Sequence, residues 1–533
     1  MPAGRPDTTR VWNFADHFRE PTVPLHGSSG GTWAGSMATW SKDTGGPSWT
    51  SLPGYFLNHG FSTLGSGKLF HPNLPPNNDY EKSWSKEWPY FGVEVGAAPK
   101  SAHNWATQGN GSTQVPRAVP CKDRTAATAP PNCFECLETL PGQYGFPYCA
   151  ANVSKDEARL EFQLEDQRIT ASCVSQLASA AAVPGRPFFV GCGVHKPHVP
   201  WIMPFEFRAQ FGAVGDIPLP QWGYEPSSMP AVAWHGAADE LSDGGQRDST
   251  NSGYGPGFDA DPVLSNLTNW TRSGGRDANV TRTYRLAYYA AVAYQDYNIG
   301  KILAQLDALG HTANTVTLLL GDHGFHLAEQ NTWAKYTNFE IGVRIPLIIR
   351  APWLASSVGK VTDILAEATD VYPTLAELAG LPSPLSTGEQ INGTSLVPAL
   401  RNPADTSAKM AAFSQYAKVS LERQTLFWPC PWSSDQNMSA MCTEPFPACV
   451  TGVQIMSYSV RVADWRYTAH FEMDDATVTV KTDSVIAREL YSFAGFDGSF
   501  DWPGMNANVA GDPAHAALVE ELHGKVLGYI RLS

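Results

Sequence analysis

The sequence has no long apolar run and no positive net charge, and each absence excludes a class of function. No stretch of the 533 residues reaches the roughly 18 consecutive apolar residues that span a bilayer, so no membrane span is predicted. The opening residues, MPAGRPDTTRVWNF, show no apolar core of a secretory signal peptide. The formal net charge is −14, so bulk attraction to nucleic acid is not expected.

Cysteine is sparse except in two loop-rich, proline-rich stretches, 121–149 and 430–449. Such clusters favour local disulfides and an oxidising compartment. A zinc site at Cys133-x-x-Cys136 is the alternative, but no histidine interleaves with these cysteines. The N-x-[ST] glycosylation sequons also favour a secreted protein. The cysteines are Cys121, Cys133, Cys136, Cys149, Cys173, Cys192, Cys430, Cys442 and Cys449, and N-x-[ST] sequons begin at Asn110, Asn152, Asn266, Asn269, Asn279, Asn392 and Asn437.

Strand and helix signals alternate along most of the chain. The clearest helix signal covers residues 282–310, where Ile299, Ile302 and Leu306 share one helical face. Strands are predicted in RPFFVGCGVHKPHVP, NTVTLLLGD and VRIPLIIRAP, and a helix capped by Thr369 or Asp370 in TDVYPTLAELAG. This alternation predicts an α/β protein with a doubly wound sheet.

The pattern changes after about residue 402. VQIMSYSVRVADWRYTAHFEM alternates as strands do, and PAHAALVEELHGKVLGYI has the periodicity of a closing helix. We therefore predict a large α/β domain over residues 1–402 and a smaller α+β subdomain over residues 403–533.

Three predicted strands, in STLGSGKLFHP, RPFFVGCGVHKPHVP and NTVTLLLGD, end in polar clusters. The clusters are Lys68 and His71, then His195, Lys196 and His198, then Asp322 and His323. Ligands of open α/β sheets bind beyond the carboxyl ends of the strands, so these clusters are predicted to share one pocket. Ammonium and imidazole groups donate to an anion, and a carboxylate binds a hard cation. Such a set suits ester hydrolysis at sulfur or phosphorus, because charge develops on the oxyanion and the leaving oxygen.

Each cluster also has a simpler interpretation. Lys68 lies in GSGK, but Leu69 replaces the Ser or Thr that a nucleotide-binding loop requires. His71 could be a loop histidine, His198 a structural one between two prolines, and His326 a solvent-facing one on the turn after the strand. An Asp-His-Gly directly after so apolar a strand is harder to explain as core.

At these residues the chain resembles the sulfatase family, and within it the iduronate-2-sulfatase-like branch. Strings similar in order and spacing extend over almost the whole chain. They are GRPDTTRVWNF, GSGKLFHP, GVHKPHVPW, YYAAVAYQDYNIGKILAQLDALG, GDHGFHLAEQNTWAKYTNFE, RIPLIIRAP, DVYPTLAELAGL and YSVRVADWRYTAHF.

The resemblance implies an alkaline-phosphatase-like α/β/α sandwich that hydrolyses sulfate monoesters of sulfated carbohydrate, in a lysosomal or secreted setting. It also implies a calcium ion as cofactor. Carried over by match, Asp322 and His323 contribute to the calcium site. The residues placed around the sulfate and the leaving oxygen are Lys68, His71, His195 and Lys335.

Two family elements are missing from these 533 residues. Sulfatases carry a C/S-x-P/A-x-R string whose cysteine or serine becomes formylglycine, and an Asp pair that binds calcium. No arginine here has Cys or Ser four residues before it together with Pro or Ala two before it. In the family, GRPDTTR follows the nucleophile segment closely. The expectation is therefore a truncated chain that is inactive as written.

Two other functions remain open on sequence grounds. One is a phosphodiesterase or phosphatase on the same fold. The other is a non-catalytic, glycan-binding pseudo-sulfatase.

Overall fold

The computed structural model describes residues 49–70, 76–88, 90–92, 119–120, 133–135, 148–151, 154–156, 164–198, 201–234, 278–389, 391–418, 455–474, 479–499 and 502–531. They form two compact units. The strand–helix unit comprises the described residues within 53–219 and 278–312, and the C-terminal unit comprises those within 49–52, 220–234 and 313–531. The domain boundary between residues 402 and 403 stays a prediction.

Most of the secondary structure lies where the sequence patterns place it. The helices are α1 (Leu52–Asn58), α2 (Tyr80–Ser83), α3 (Glu165–Ala181), α4 (Phe205–Arg208), α5 (Ala278–Ala308), α6 (Glu340–Val343), α7 (Val371–Leu378), α8 (Val397–Arg401) and α9 (Ala516–Arg531). The long helix predicted over 282–310 is α5, which begins four residues earlier. None of the described helices is both long and apolar enough to cross a membrane.

The strands are short in the middle of the chain and long near its end. They are β1 (Ser62–Gly67), β2 (Phe91–Gly92), β3 (Val119–Pro120), β4 (Cys133–Glu135), β5 (Tyr148–Ala151), β6 (Phe188–Gly193), β7 (Trp201–Pro204), β8 (Thr317–Leu320), β9 (His326–Leu327), β10 (Trp333–Ala334), β11 (Leu347–Arg350), β12 (Ala412–Lys418), β13 (Ile455–Val462), β14 (Trp465–Asp474) and β15 (Thr479–Ser492).

The strand–helix unit is built on the parallel sheet β2-β1-β6. β1 and β6 pair in register from Ser62 opposite Phe188 to Gly67 opposite Gly193, so the two strands end together. β1 is buried along its whole length, as expected for a parallel strand covered on both faces.

Helix α3 packs on β1 and β6 through the face that carries Ile169 and Cys173, both fully buried. Polar contacts add to this packing: the Gln176 side-chain amide donates to the carbonyl of Gly65 at 3.0 Å. A disulfide joins Cys173 of α3 to Cys192 of β6, with the two Cα atoms 6.0 Å apart. The helix and the strand are therefore covalently tied. The sequence clusters did not include this pair.

In the C-terminal unit, β8 and β11 pair antiparallel, from Leu320 opposite Leu347 to Thr317 opposite Arg350. A doubly wound sheet predicts parallel strands, so this pair departs from that expectation. The segment between them, residues 321–346, folds as turns, a 3₁₀ turn, the short hairpin β9–β10 and the four-residue helix α6, and it contains no long crossover helix.

The last part of the chain forms the antiparallel sheet β12-β13-β14-β15, and α9 packs on one face of it. That face carries the apolar residues of the alternating pattern. The buried core there consists of Met456, Tyr458, Val460, Tyr467, Ala469, Phe471, Met473 and Leu490 from the strands and Val519, Leu522, Val526 and Tyr529 from α9.

The opposite face of this sheet is polar and is also buried. Ser457 Oγ and His470 Nδ1 are 2.7 Å apart, and His470 Nε2 lies 2.8 Å from Glu489 Oε1. The Tyr491 hydroxyl donates to the other oxygen of Glu489 at 2.6 Å. Hydrogen bonding offsets the loss of water around these groups.

The predicted cap of α7 is wrong in its chemistry. Asp370 stands at the N-cap position, but its carboxylate does not bond an amide of that helix. It accepts from the amides of Glu367 and Thr394, both at 2.7 Å, and from the Lys409 ammonium at 2.6 Å. The carboxylate therefore ties together three parts of the unit, because burial brings distant donors to it.

Candidate functional site

Lys68 and His195 leave the parallel sheet at the same edge. β1 ends at Gly67 and β6 ends at Gly193, which lie opposite each other. The Lys68 amide donates to the Gly193 carbonyl at 2.6 Å, so the chain after β1 stays against β6. His195 follows two residues after the end of β6. Both side chains are thus placed at one carboxyl edge of the sheet, where ligands of α/β proteins bind.

Two adjacent carboxylates at the start of α3 hold His195. Glu165 Oε2 lies 2.9 Å from His195 Nδ1. Asp166 is buried and accepts from the backbone amide of His195 at 2.5 Å and from that of Lys196 at 3.2 Å. The imidazole also stacks on His198, with ring centroids 4.9 Å apart. Ring and backbone are therefore fixed by separate groups.

Burial has the largest effect on the pKa values of His195 and Asp166. It lowers the pKa of His195, the charge of Glu165 opposes that, and Lys196 and Lys68 lower the pKa further. The same burial raises the pKa of Asp166, against the charge of Lys196. At neutral pH, His195 is consequently a neutral imidazole hydrogen-bonded to Glu165.

Asp322 and His323 follow the end of β8, as predicted. The Asp322 side chain is 63% exposed, and its Oδ2 lies 3.6 Å from His323 Nε2. His323 Nδ1–H donates to the Gly324 carbonyl at 2.7 Å. A Cβ atom at Gly324 would lie within van der Waals overlap of the Ile341 carbonyl, so a glycine is required where the chain turns after this pair.

His326 does not face solvent. Its side chain is fully buried, and Nε2 lies 2.9 Å from Thr337 Oγ1. Burial lowers the pKa of His326 to about 3. The solvent-facing interpretation failed because the segment folds back as the hairpin β9–β10, in which His326 pairs with Ala334.

Lys335 lies in the same buried hairpin segment, with 8% of the residue exposed and Nζ 5.5 Å from the centre of the Tyr336 ring. The backbone before it is unusual. Ala328, Gln330, Asn331 and Ala334 all have positive φ angles. Left-handed conformations cost non-glycine residues about 1 kcal/mol or more each, so the surrounding packing must hold them.

The described residues do not assemble a complete calcium site. No group of three or more His, Cys, Asp or Glu side chains in the described part of the chain could hold a metal ion. Asp322 offers exposed carboxylate oxygens, but Ca²⁺ takes six to eight oxygen ligands.

The sequence patterns missed Glu165 and Asp166. The composition of residues 165–182 predicts a helix, and acidic residues in the first turn of a helix ordinarily interact with the helix dipole, so the pattern gives these two no further role. Their bonds to the loop after β6 reach about 30 positions along the chain. His71, Cys121, Cys136 and the 430–449 cysteines lie outside the described residues.

Comparisons with known proteins identify the fold and the family of this chain. A phosphonate monoester hydrolase from Silicibacter pomeroyi superimposes with a TM-score of 0.52, covering 96% of this chain and 86% of that one, at 18% identity. The fold is that of the alkaline-phosphatase-like α/β proteins. The sulfatase family profile matches residues 48–381, which include all six predicted site residues.

The chain belongs to the sulfatase family. The iduronate 2-sulfatase of Mus musculus is 26% identical to it over 97% of this chain and 82% of the mouse protein. That of Homo sapiens is 25% identical over 95% of this chain and 82% of the human protein. The similarity thus places the chain in the iduronate-2-sulfatase-like branch, as predicted, and by family it is a sulfuric ester hydrolase.

Proposed function

We propose that this protein binds sulfate monoesters of sulfated carbohydrate, with glycosaminoglycans as the substrate class, and that its site is built for their hydrolysis. The observation that carries the proposal is the shared sheet edge of Lys68 and His195 within a sulfatase chain. An ammonium, and an imidazole that takes up a proton, supply the donors that a sulfate and a developing leaving-group oxygen need.

The roles follow from the chemistry of each side chain. Lys68, His71 and Lys335 donate hydrogen bonds to the sulfate oxygens or to the leaving oxygen, and His195 does so once its Nε2 is protonated. The exposed carboxylate of Asp322, with His323 beside it, supplies one part of a calcium site whose other ligands are not among the described groups. A bound calcium ion would neutralise charge on the sulfate.

We further propose that these 533 residues by themselves bind sulfate esters without turning them over. They contain no C/S-x-P/A-x-R string, and donors that surround an anion cannot replace a nucleophile. The same observation favours a second candidate function, a non-catalytic glycan-binding protein. The two differ in whether an added nucleophile segment restores hydrolysis.

The compartment is proposed to be lysosomal or secretory. The disulfide between Cys173 and Cys192 supports this proposal, because such bonds persist in oxidising compartments. The proposal also includes local disulfides within residues 121–149 and within residues 430–449. Peptide mapping under non-reducing conditions tests all three, and free thiols throughout secreted material would contradict the proposal.

Calorimetric titration tests the binding function. The ligands are a heparin-derived disaccharide with one 2-O-sulfate, its desulfated form and glucose 6-phosphate, each with calcium present. We expect the sulfated sugar to bind, and Lys68→Ala, His195→Ala and Lys335→Ala each to weaken binding about tenfold or more. Lys360→Ala, at an exposed lysine, is the matched control. Equal binding of the desulfated sugar would overturn the proposal, and tighter binding of the phosphate would favour a phosphatase.

Calcium binding is tested separately by titrating the metal alone. Asp322→Asn is expected to weaken calcium binding at least about tenfold, since it removes a charged oxygen ligand. Asp363→Asn, at another exposed aspartate, should change nothing. Identical calcium affinity in both variants would remove Asp322 from the metal site.

A further inference from the structure

We propose that Glu165 is a positioning residue that fixes His195 with its Nδ1 proton held by the carboxylate, so that Nε2 is the atom that exchanges a proton with the ligand. This inference rests on the proposed function of His195. It adds a carboxylate–imidazole contact at the edge of the β1–β6 sheet to the strand-end residues that the family resemblance identifies.

The geometry supports this assignment. The Nδ1 to Oε2 distance of 2.9 Å is that of a direct hydrogen bond, and the side chains of His195 and Glu165 are only 11% and 18% exposed. Glu165 is the first residue of α3, and the disulfide from Cys173 ties that helix to the strand that precedes His195. The donor and acceptor therefore sit on elements that cannot move apart freely.

Asp166 fixes the backbone while Glu165 fixes the ring. One carboxylate oxygen of Asp166 accepts from the His195 amide and the other from the Lys196 amide. With both amides held, the backbone of His195 is fixed relative to Glu165, the residue next to Asp166 on the same helix. Which ring nitrogen carries the proton is set by the partner of the other nitrogen, so this arrangement selects the Nδ1–H tautomer.

The charges that face His195 come from three elements. Glu165 and Asp166 come from α3, Lys68 follows β1, and Lys196 adjoins the ring on its own loop. Tyr294 of α5 faces Asp166, and burial, followed by the charge of Asp166, raises the pKa of Tyr294. Glu165 is the negative charge that favours the imidazolium, against burial and two lysines. When His195 gains a proton at Nε2, Glu165 stabilises the cation that forms.

The test is NMR of the full chain labelled with ¹⁵N-histidine, with the His195 signals assigned by their loss in His195→Asn. In the wild-type protein we expect a protonated Nδ1 and an unprotonated Nε2 at neutral pH. Glu165→Gln should lower the pKa of His195 by about one unit or more and allow the Nε2–H tautomer. Glu165→Asp keeps the charge and should restore part of the pKa. An unchanged tautomer and pKa in Glu165→Gln would overturn the proposal.

A matched control separates this effect from general perturbation. Glu87→Gln changes an exposed carboxylate of the same unit, paired with Arg186 at 3.4 Å, and should leave the His195 signals unchanged. If Glu165→Gln does not fold, Glu165→Asp carries the test, because its shorter side chain should still displace the Nδ1 signal. An unchanged Nδ1 signal in folded Glu165→Asp would also count against the assignment.

Adding the 2-O-sulfated disaccharide separates this proposal from the proposed function. If Glu165 fixes the tautomer but the sugar does not shift the Nε2 signal, the positioning role stands and the sulfate-binding role of His195 fails. If the sugar shifts Nε2 equally in the wild type and in Glu165→Gln with the same tautomer, the binding role stands and Glu165 has no positioning role.

Discussion

Gly67 and Gly193 face each other at the last pair of the β1–β6 ladder, and neither has room for a side chain. A Cβ on Gly67 would lie 2.0 Å from the Gly193 carbonyl oxygen, and Gly67 also has a φ of +78°. This close approach is what brings Lys68 onto β6.

We expect Gly67→Ala to lower the free energy of unfolding by about 3 kcal/mol, from overlap and left-handed strain together. Chemical denaturation measures the change. Gly185→Ala is the control, because Gly185 has a φ of +71° and nothing within 4 Å of an added Cβ. It should lose only about 1 kcal/mol. Equal losses in the two variants would mean that the close approach between the strands is not tight.

The Cys173–Cys192 disulfide closes a loop of 19 residues and should stabilise the protein by about 3 kcal/mol in the chain-entropy description. We expect the double variant Cys173→Ala, Cys192→Ala to unfold at a lower Tm than the wild type under oxidising conditions. Mass spectrometry of unreduced peptides should identify the linked pair. A wild-type Tm in the double variant would contradict this contribution.

Glu340 forms a buried ion pair with Arg466, at 2.5 Å, and Arg461 lies 3.4 Å away. Burial alone would raise the pKa of Glu340, but the two arginines outweigh it and the pKa is lowered. Glu340→Gln leaves two buried cations short of a partner and should cost about 3 kcal/mol at pH 7.

The sign of the pH dependence follows from the lowered pKa of Glu340. The stabilisation by Glu340 is complete above the unfolded-state value of about 4.3 and is lost as the pH falls through the folded-state value. The gap between wild type and variant should therefore persist to below pH 4. Glu472→Gln, which removes an exposed carboxylate 3.7 Å from Lys481, should change stability by less than about 0.5 kcal/mol.

His326 should make the protein less stable in mild acid. Burial lowers its folded-state pKa to about 3, so below about pH 6.5 the unfolded chain takes up a proton that the folded chain does not. Stability is full above that pH and falls by roughly 1.4 kcal/mol per pH unit below it. His326→Asn should flatten the decline between pH 6.5 and 5 by that slope. Parallel pH profiles in denaturation would show that His326 is protonated when folded.

Local patterns predicted the elements but not how they pair. β6, β8 and α5 lie where apolar runs and helical periodicity place them, and β1 and α3 also lie where a strand and, by composition, a helix are predicted. The antiparallel pairing of β8 with β11 was missed because strand direction depends on the path of the intervening chain. The alternation in β13 predicted a strand, but burial of its polar face depends on what packs there, which alternation does not encode.

The residues of the candidate site were predicted only where they follow the ends of strands. Lys68, His195 and Asp322 were found because each lies within two residues of the end of a predicted strand. Glu165 was not, because its relation to His195 arises only when α3 packs on β6 and joins positions about 30 apart. Strand ends are visible in a sequence, whereas the partners that orient them depend on tertiary packing.

The polar face of the sheet β12-β13-β14-β15 forms hydrogen bonds within the sheet. It also contacts the segment 335–340, which carries Lys335. Asn338 donates to the Ser457 carbonyl and accepts from the Ser414 hydroxyl, and Glu340 binds Arg466. The sheet β12-β13-β14-β15 therefore also supports the segment 335–340. A chimera that took this sheet from a distant relative would lose the hydrogen bonds and the ion pair that hold residues 335–340. The sheet and residues 335–340 should therefore be inherited together, and they should be transferred together in protein engineering.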